Sequence, residues 1–289
     1  MATLKQIRQR IRTAKNIQQI TRAMKLVAAA RLKKAQDRVL EARPYSEKMR
    51  DFMLSISAAG ELPSHPLLEQ REVKKICLIL ITAERGLAGS YNTNLIRRAG
   101  DWIKSRTEQI SMLGVGKKGS LFFAKRGIEV VHQVTVPTAG SRLQDAVEVT
   151  AKAREIFESG EADAIYLCYS KFYSPIRQVP QVIQLLPIEP PTAEEGAASS
   201  AGAKDYEFEP DPASLLGELL PKYVLTIIFQ AMLESTASEH GSRMTAMTSA
   251  TDNAGKMIQN LTLKANRERQ AGITKEILEV VGGAEALKS

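Results

Sequence analysis

The segment Gly114-Val-Gly116-Lys-Lys-Gly119 is the residue pattern that most directly suggests a binding site. It matches GxGxxG, the glycine spacing that lets backbone approach a pyrophosphate at a helix N-terminus, and it lies between a strand-like run and a helical stretch. However, this run is the second strand of its unit, and the next acid, Glu129, follows only ten residues later. The motif would imply a stand-alone nucleotide-binding enzyme, and the alternative interpretation is a plain strand-to-helix turn.

The turn from Glu84 to Asn92 is a second candidate, because it follows an apolar strand run and is rich in glycine and polar groups. Loops at this place in an α/β fold often hold a site. No histidine, cysteine or second carboxylate accompanies Glu84, and the sequence contains neither GxSxG nor HExxH. We therefore predict a structural turn suited to subunit contacts, and no catalysis by this chain alone.

Cysteine and histidine are too sparse to predict a metal site. The two cysteines, Cys77 and Cys168, lie in separate apolar runs, and the three histidines, His65, His132 and His240, are scattered. This count fits neither a disulfide framework nor a zinc site. We predict a reducing compartment and no cofactor.

Positive charge is concentrated at the N-terminus of the 289-residue chain, whose formal net charge is +8. Residues 1–40 contain 11 Lys and Arg and a single acid, Asp37. Such a segment can be a solvated face, a surface for an acidic protein, or a nucleic-acid surface. Residues 1–44 contain no aromatic side chain to stack on bases, and the cations are spread around the helix, so no nucleic-acid partner is predicted.

The N-terminal segment is predicted to be one long amphipathic helix. From Ala2 to Ala59 it has no glycine and one proline, Pro44, which should bend the helix or end its regular part. Apolar residues recur at spacings of three and four, with a local stutter at Ile17 and Ile20. The predicted seam is Leu4, Ile7, Ile11, Ala14, Met24, Val27 or Ala28, Leu32, Ala35, Val39 and Ala42.

The C-terminal segment from Asp211 to Ser289 is also predicted to be helical. Its seam alternates spacings of four and three at His240, Met244, Met247, Thr251, Ala254, Ile258, Leu261 and Ala265. Two terminal seams predict an antiparallel coiled coil of the two helices. Small Ala, Ser and Thr residues from Ser235 to Ala254 are expected to form a surface that lies against a partner.

Between these helices, the periodicity indicates alternating strands and helices. The strand runs are Val73–Thr82, Ile110–Val115, Ile128–Val136, Ala164–Ser170 and Gln181–Ile188, and the helical runs are Asn94–Glu108, Lys117–Arg126 and Ser141–Glu158. This alternation predicts a Rossmann-like α/β domain with a mainly parallel, five-stranded sheet. The predicted domains are 1–59, 73–190, a flexible loop and foot segment at 191–209, and 210–289. No apolar run approaches the ~20 residues of a membrane-spanning helix.

Four segments resemble the gamma subunits of F-type ATP synthases. They are Ile20–Ala30 with Arg43-Pro-Tyr45, Glu84–Asn94, Met247–Ala254, and Arg269–Glu276 followed by Gly283-Ala284. The resemblance covers essentially the whole chain, and the motifs occur in the family order. It implies a non-catalytic central rotor shaft that couples proton flow through a membrane c-ring to ATP synthesis or hydrolysis at beta-subunit sites.

The resemblance also implies partners and contact residues. The partners would be the alpha and beta subunits, the epsilon subunit and the c-ring. Met24 and Lys25 would face acidic beta-subunit loops at the neck of the shaft. The other implied contacts are Arg269, Gln270 and Thr274 with a beta-subunit catch loop, Ile277, Leu278, Val280, Val281 and Leu287 in an upper bearing, and Tyr206, Phe208 and Glu209 with the c-ring. A start at Met1 without a presequence suggests a bacterial chain, peripheral to the cell inner membrane on its cytoplasmic side.

Overall fold

The computed structural model describes residues 3–58, 65–137, 140–189 and 212–286, and the side chains of 55–58, 212–216 and 284–286 are outside this description. The elements in chain order are α1 (Leu4–Ala58), a short 3₁₀ turn (Pro66–Leu68), β1 (Lys75–Ile81), α2 (Tyr91–Lys104), β2 (Gln109–Val115), α3 (Lys117–Ala124), β3 (Glu129–Val134), α4 (Leu143–Glu158), β4 (Ala164–Phe172), β5 (Gln178–Leu186) and α5 (Pro212–Ala286). The predicted mixed α/β architecture is confirmed.

The five strands form one sheet in the order β3-β2-β1-β4-β5. Strands β1 to β4 are parallel, and β5 is antiparallel to β4. The central strand β1 is buried from Ile76 to Ile81, which explains its continuous apolar run. One face of the sheet packs against α2 and α3, and the other packs against α4 and part of α5. The predicted mainly parallel, five-stranded sheet is therefore confirmed.

The chain divides into two compact units. The first, here called the coil unit, consists of Met1–Val27 and Met244–Ser289. The second, here called the sheet unit, is Ala28–Arg243 and contains the whole sheet. Both terminal helices cross the boundary, so each contributes one part to each unit.

Helix α1 does not end at Pro44, which lies inside its Leu4–Ala58 span. Proline removes one amide donor and so leaves a carbonyl one turn earlier without its helical partner. Pro44 and Leu40 are both exposed, and water can satisfy that carbonyl there. The helix thus tolerates the proline because it occurs on the solvent side. The predicted loop from Pro190 to Lys204 lies outside the described residues.

Candidate partner-contact surfaces

The buried seam of α1 follows a strict seven-residue repeat. Burial is complete or nearly so at Ile7, Ala14, Thr21, Ala28, Ala35 and Met49, and Ala42, which completes the repeat, is half-buried. The predicted stutter is wrong, since Ile17 and Ile20 are 48% and 59% exposed while Thr21 is 9% exposed. The repeat passes through a threonine, and a threonine was not counted among the apolar residues that defined the seam. The alternative left open between Val27 and Ala28 is resolved in favour of Ala28, which is 1% exposed.

The seam of α5 lies where the sequence predicted it. All eight predicted residues, from His240 to Ala265, are buried or half-buried. The half-buried positions continue to Glu268, and every described side chain from Arg269 to Gly283 is exposed. The alternating four and three spacing therefore correctly identified which face of α5 is covered.

Within the coil unit, a polar layer joins the two helices. Thr251 Oγ1 lies 2.8 Å from Thr21 Oγ1 and 2.7 Å from the Met247 carbonyl oxygen of its own helix, so its single hydroxyl hydrogen is shared between the two acceptors. One turn away, a methyl group added to Gly255 would lie 3.0 Å from Gln18 Nε2. Residue 21 contacts residue 251 and residue 18 lies next to residue 255, so the helices are antiparallel. Extending this register to Leu4 places the start of α1 opposite residues 268 and 269 of α5. This register explains why the exposed segment of α5 begins at Arg269.

The α1 part of the coil unit is strongly basic. Residues 3–27 contain seven Lys and Arg and no Asp or Glu, whereas residues 244–286 contain five of each sign. Among the described residues of the coil unit, an ion pair joins Lys275 to Glu279 at 3.4 Å, and it does not involve α1. The cations of α1 therefore present uncompensated positive charge to their surroundings.

The structure places the predicted contact residues in two groups. Met24 and Lys25 are half-buried beside the polar layer. Arg269, Gln270 and Thr274 are exposed, and the Thr274 hydroxyl donates to the Gln270 carbonyl at 3.0 Å. The predicted apolar contacts Ile277, Leu278, Val280 and Val281 are 57–72% exposed, and Ile273, which was not among the predicted contacts, is 50% exposed. Tyr206, Phe208, Glu209 and Leu287 lie outside the described residues.

In the sheet unit, the glycine motif is a packing turn. Gly116 has φ +87°, and a Cβ atom there would lie 2.0 Å from the Thr82 carbonyl oxygen. The amide of Gly119 donates to Thr82 Oγ1 at 2.9 Å, and the amide of Lys118 donates to the Ala83 carbonyl at 3.2 Å. A phosphate would need these amides at the start of α3, and the two residues that follow β1 already accept their hydrogen bonds. The glycines thus allow close packing, and the nucleotide-enzyme alternative finds no support here.

The crevice where α/β sheets commonly bind ligands is filled by α5. That crevice lies at the carboxyl ends of β1 and β4, where the strand order reverses. Ser235, Ala237 and Ser238 of α5 are at most 2% exposed. The expectation that the small residues from Ser235 onward form a surface for a partner is therefore wrong for this part, because small side chains also permit close contact inside a fold.

What remains of the crevice is a cavity of about 30 Å³, lined by Thr82, Glu84, Tyr91, Ser235, Glu239 and His240 among others. This volume is sufficient for about one water molecule. Burial raises the pKa of Glu239, and burial together with Arg243 and Arg31 lowers the pKa of His240 to about 4. The shifts reflect desolvation of groups that the helix buries, and the cavity has no room for a nucleotide.

The turn after β1 is held by side chains on both sides. Glu84 Oε1 accepts from the Val136 amide at 3.1 Å, and Asn92 Oδ1 accepts from the Ala83 amide at 3.0 Å. From α5, the Ser242 hydroxyl donates to the Ala88 carbonyl at 2.7 Å. Leu87 has φ +63° and is 65% exposed. The polar groups of this turn thus hold it in place.

The cysteines and histidines are not arranged for chemistry. Cys77 and Cys168 are both free and buried, and burial raises the pKa of the Cys77 thiol to about 11. Across the described parts of the chain, no cluster of three or more His, Cys, Asp or Glu residues could hold a metal ion.

Among the helices that the structure describes, none is long and apolar enough to cross a membrane.

Comparison with known proteins connects this arrangement to a family. A family model described as ATP synthase matches residues 3–287. The ATP synthase gamma chain of Pelotomaculum thermopropionicum is 46% identical over 288 residues, covering all of both chains. The ATP synthase gamma chain of Heliobacterium modesticaldum is 48% identical over 291 residues, covering 99% of this chain and 100% of that one. The chain belongs to the ATP synthase gamma-chain family.

Solved structures share the fold of this gamma-chain family member. A chain in the cryo-EM structure of the Euglena gracilis mitochondrial ATP synthase has a TM-score of 0.70 at 17% identity, covering 98% of this chain and 94% of that one. A chain in the central stalk and c-ring of the Tetrahymena thermophila mitochondrial enzyme has a TM-score of 0.59 at 24% identity, covering 80% of this chain and 99% of that one. The predicted family, and with it the role of central rotor shaft, is confirmed.

Proposed function

We propose that this gamma-family shaft acts through three surfaces, none of which performs catalysis. The coil unit would turn inside a head of alpha and beta subunits, where it alters the beta-subunit sites by presenting a different face to each in turn. The sheet unit would form a foot beside the epsilon subunit and the c-ring, on the cytoplasmic side of the cell membrane. The proposed domain division remains 1–59, 73–190, 191–209 and 210–289.

The observation that carries this proposal is the exposed end of α5. From Arg269 to Gly283 every described side chain is exposed, although five large apolar residues lie in this stretch. Contiguous exposed apolar side chains commonly mark an interaction site. We infer that Ile277, Leu278 and Val281 are covered by a bearing formed by the head, and that Arg269, Gln270 and Thr274 contact a beta-subunit loop just before it.

The basic surface of α1 supports the second contact, at the neck. Met24 and Lys25 lie next to the polar layer, on a helix segment that has seven cations and no acid. Acidic loops of the beta subunits are the proposed partners. Exposed ion pairs contribute only ~0 to 1 kcal/mol each, so such contacts can form and release during rotation.

The third surface is the foot segment containing Tyr206, Phe208 and Glu209, which lies outside the described residues. Its proposed contact with the c-ring rests on the family resemblance and on its place in the sequence before α5. The nucleotide would bind the partner subunits and not this chain. The filled crevice and its cavity of about 30 Å³ support that part of the proposal.

Purification from membranes tests the assembly directly. The chain should copurify with alpha and beta subunits, and a variant with Ile277, Leu278 and Val281 changed to Ser should give less assembled complex. The control variant is Leu121→Ser, which changes an exposed apolar residue of α3 in the sheet unit. It should assemble normally. Recovery of the wild-type chain as a monomer would contradict the proposal.

A further inference from the structure

Strand β4 extends further than its neighbour β1. It pairs with β1 as far as Cys168 but with β5 as far as Phe172. Backbone groups of the last β4 residues that point toward the β1 side therefore lie past the end of that strand. In a buried place such groups need other partners, because an unmade buried hydrogen bond is costly.

Helix α5 supplies those partners from its side chains. The Ser170 amide donates to Ser235 Oγ at 3.3 Å, and the Ser238 hydroxyl donates to the Ser170 carbonyl at 3.1 Å. The Phe172 amide donates to Glu234 Oε2 at 3.4 Å. Ser170, Ser235 and Ser238 are 0–2% exposed, so water does not compete for these bonds. Three side chains of a helix thus take the place of a missing strand.

One turn further along α5, the helix lies directly on the hairpin that joins β4 to β5. A methyl group added to Gly241 would lie 3.2 Å from Pro175 Cα and 3.4 Å from the Pro175 carbonyl oxygen. Both are backbone atoms of the loop, so they cannot rotate away as a side-chain tip can. Glycine at 241 therefore permits the closest approach of α5 to the hairpin.

Earlier in α5, the contacts with the rest of the sheet unit are apolar. Leu220, Val224 and Ile228 are fully buried in the apolar core. Apolar contacts are non-directional and resist rotation of a helix about its axis only through shape, whereas hydrogen bonds depend on angle as well as distance. Side-chain contacts lie on the helix surface, ~5 Å from the helix axis, so they resist a force that would rotate the helix about that axis. Such contacts occur here at Glu234, Ser235, Ser238 and Gly241.

We propose that these four α5 residues, together with Ser170, Phe172 and Pro175, form the joint through which torque passes between the β-sheet and helix α5 inside the sheet unit. This proposal rests on the shaft function proposed above and assigns its mechanical connection to particular residues. They are positioning residues: they prevent α5 from slipping against the foot while the helix transmits rotation. The crevice that other α/β folds use for a ligand here holds the shaft itself.

The first test uses two glycines of the same helix in the assembled, membrane-bound complex. Gly241→Ala pushes α5 away from the hairpin, although alanine itself favours helix over glycine. Gly217→Ala makes the same change where nothing lies within 4 Å. In inverted vesicles, ATP hydrolysis and ATP-driven proton uptake are measured together. We expect G241A to keep its hydrolysis rate and lose proton uptake per ATP, and G217A to match the wild type.

The second test removes hydroxyl groups and does not depend on the first variant assembling. Ser235→Ala combined with Ser238→Ala should increase hydrogen exchange of the β4 end about fivefold or more, because a buried amide and carbonyl lose their partners. It should also lower proton uptake per ATP. Ser120→Ala is the matched control, since that buried hydroxyl donates to the Gly116 carbonyl at 2.9 Å, away from α5.

Ser235→Ala combined with Ser238→Thr should recover part of the proton uptake, because Ser238→Thr keeps the hydroxyl group. Unchanged proton uptake per ATP in both G241A and the double serine variant would overturn the joint while leaving the shaft function intact. An equal loss in S120A would also overturn it, because the effect would then reflect general destabilisation. If wild-type complexes that contain the chain hydrolyse ATP without proton uptake, the proposed function itself fails.

Discussion

Two isoleucines of α1 give a direct test of the seven-residue seam. Ile7 is 1% exposed and Ile20 is 59% exposed, although both are apolar residues of one helix in the coil unit. Truncating a buried isoleucine to alanine costs about 2–5 kcal/mol of unfolding free energy, and an exposed substitution usually changes it by about 0.5 kcal/mol or less. Since Ile7 lies close to the start of α1, where helices fray, we expect Ile7→Ala to cost about 2 kcal/mol.

The assay is urea unfolding of the full chain, followed by far-ultraviolet circular dichroism. Ile20→Ala is the matched control, because the same atoms are removed and the gain in helix propensity is the same at both positions. Ile7→Ala should lower the unfolding midpoint of the helical signal, and Ile20→Ala should leave it nearly unchanged. A loss for Ile20→Ala as large as that for Ile7→Ala would refute the strict repeat and favour a stutter at this point.

Three further predictions follow from the charges and the packing. Because the pKa of His240 is lowered to about 4 from 6.5, the unfolded chain binds a proton that the folded chain does not, and stability should fall as pH drops from 6.5 toward 4. In His240→Gln the urea midpoint should fall less over this range, and an identical slope would contradict the argument. Raising ionic strength should weaken contacts made by the α1 cations, and Lys25→Gln should reduce the salt dependence of head binding. Equilibrium titration of the isolated chain should detect no micromolar ATP or NAD binding, whereas such binding that Gly116→Asp abolished would revive the enzyme hypothesis.

The elements that the sequence predicted well are those whose pattern has one physical cause. A continuous apolar run such as Ile76–Ile81 fits a strand that is covered on both faces, and β1 is buried in this way. The alternating four and three spacing from His240 to Ala265 likewise has a simple cause, since only one face of α5 is covered. In both cases hydrophobicity alone identifies the buried side.

The errors arose where burial does not follow hydrophobicity. Thr21 lies in the seam because its hydroxyl has a partner in Thr251, so a search for apolar residues passed over it and selected Ile17 and Ile20. Counting sevens from Ile7 would have found it. Ser235 and other small residues of α5 suit either a smooth surface or close packing, and only the end of β4 reveals which applies.

The length of the exposed end of α5 also could not be predicted from composition. It depends on the antiparallel register, which the Thr21–Thr251 contact sets, and on the start of α1 at Leu4. The contact residues within it were named from a family resemblance, and they remain proposals.

The central claim is that this chain is the part that turns. The most direct measurement attaches a visible particle to the sheet unit of the chain in a complex whose head is fixed to a surface, and records the particle while the head hydrolyses ATP. The account predicts continued rotation in one direction that stops when ATP is removed. Steady hydrolysis with the particle stationary, or moving only by random fluctuation, would contradict it.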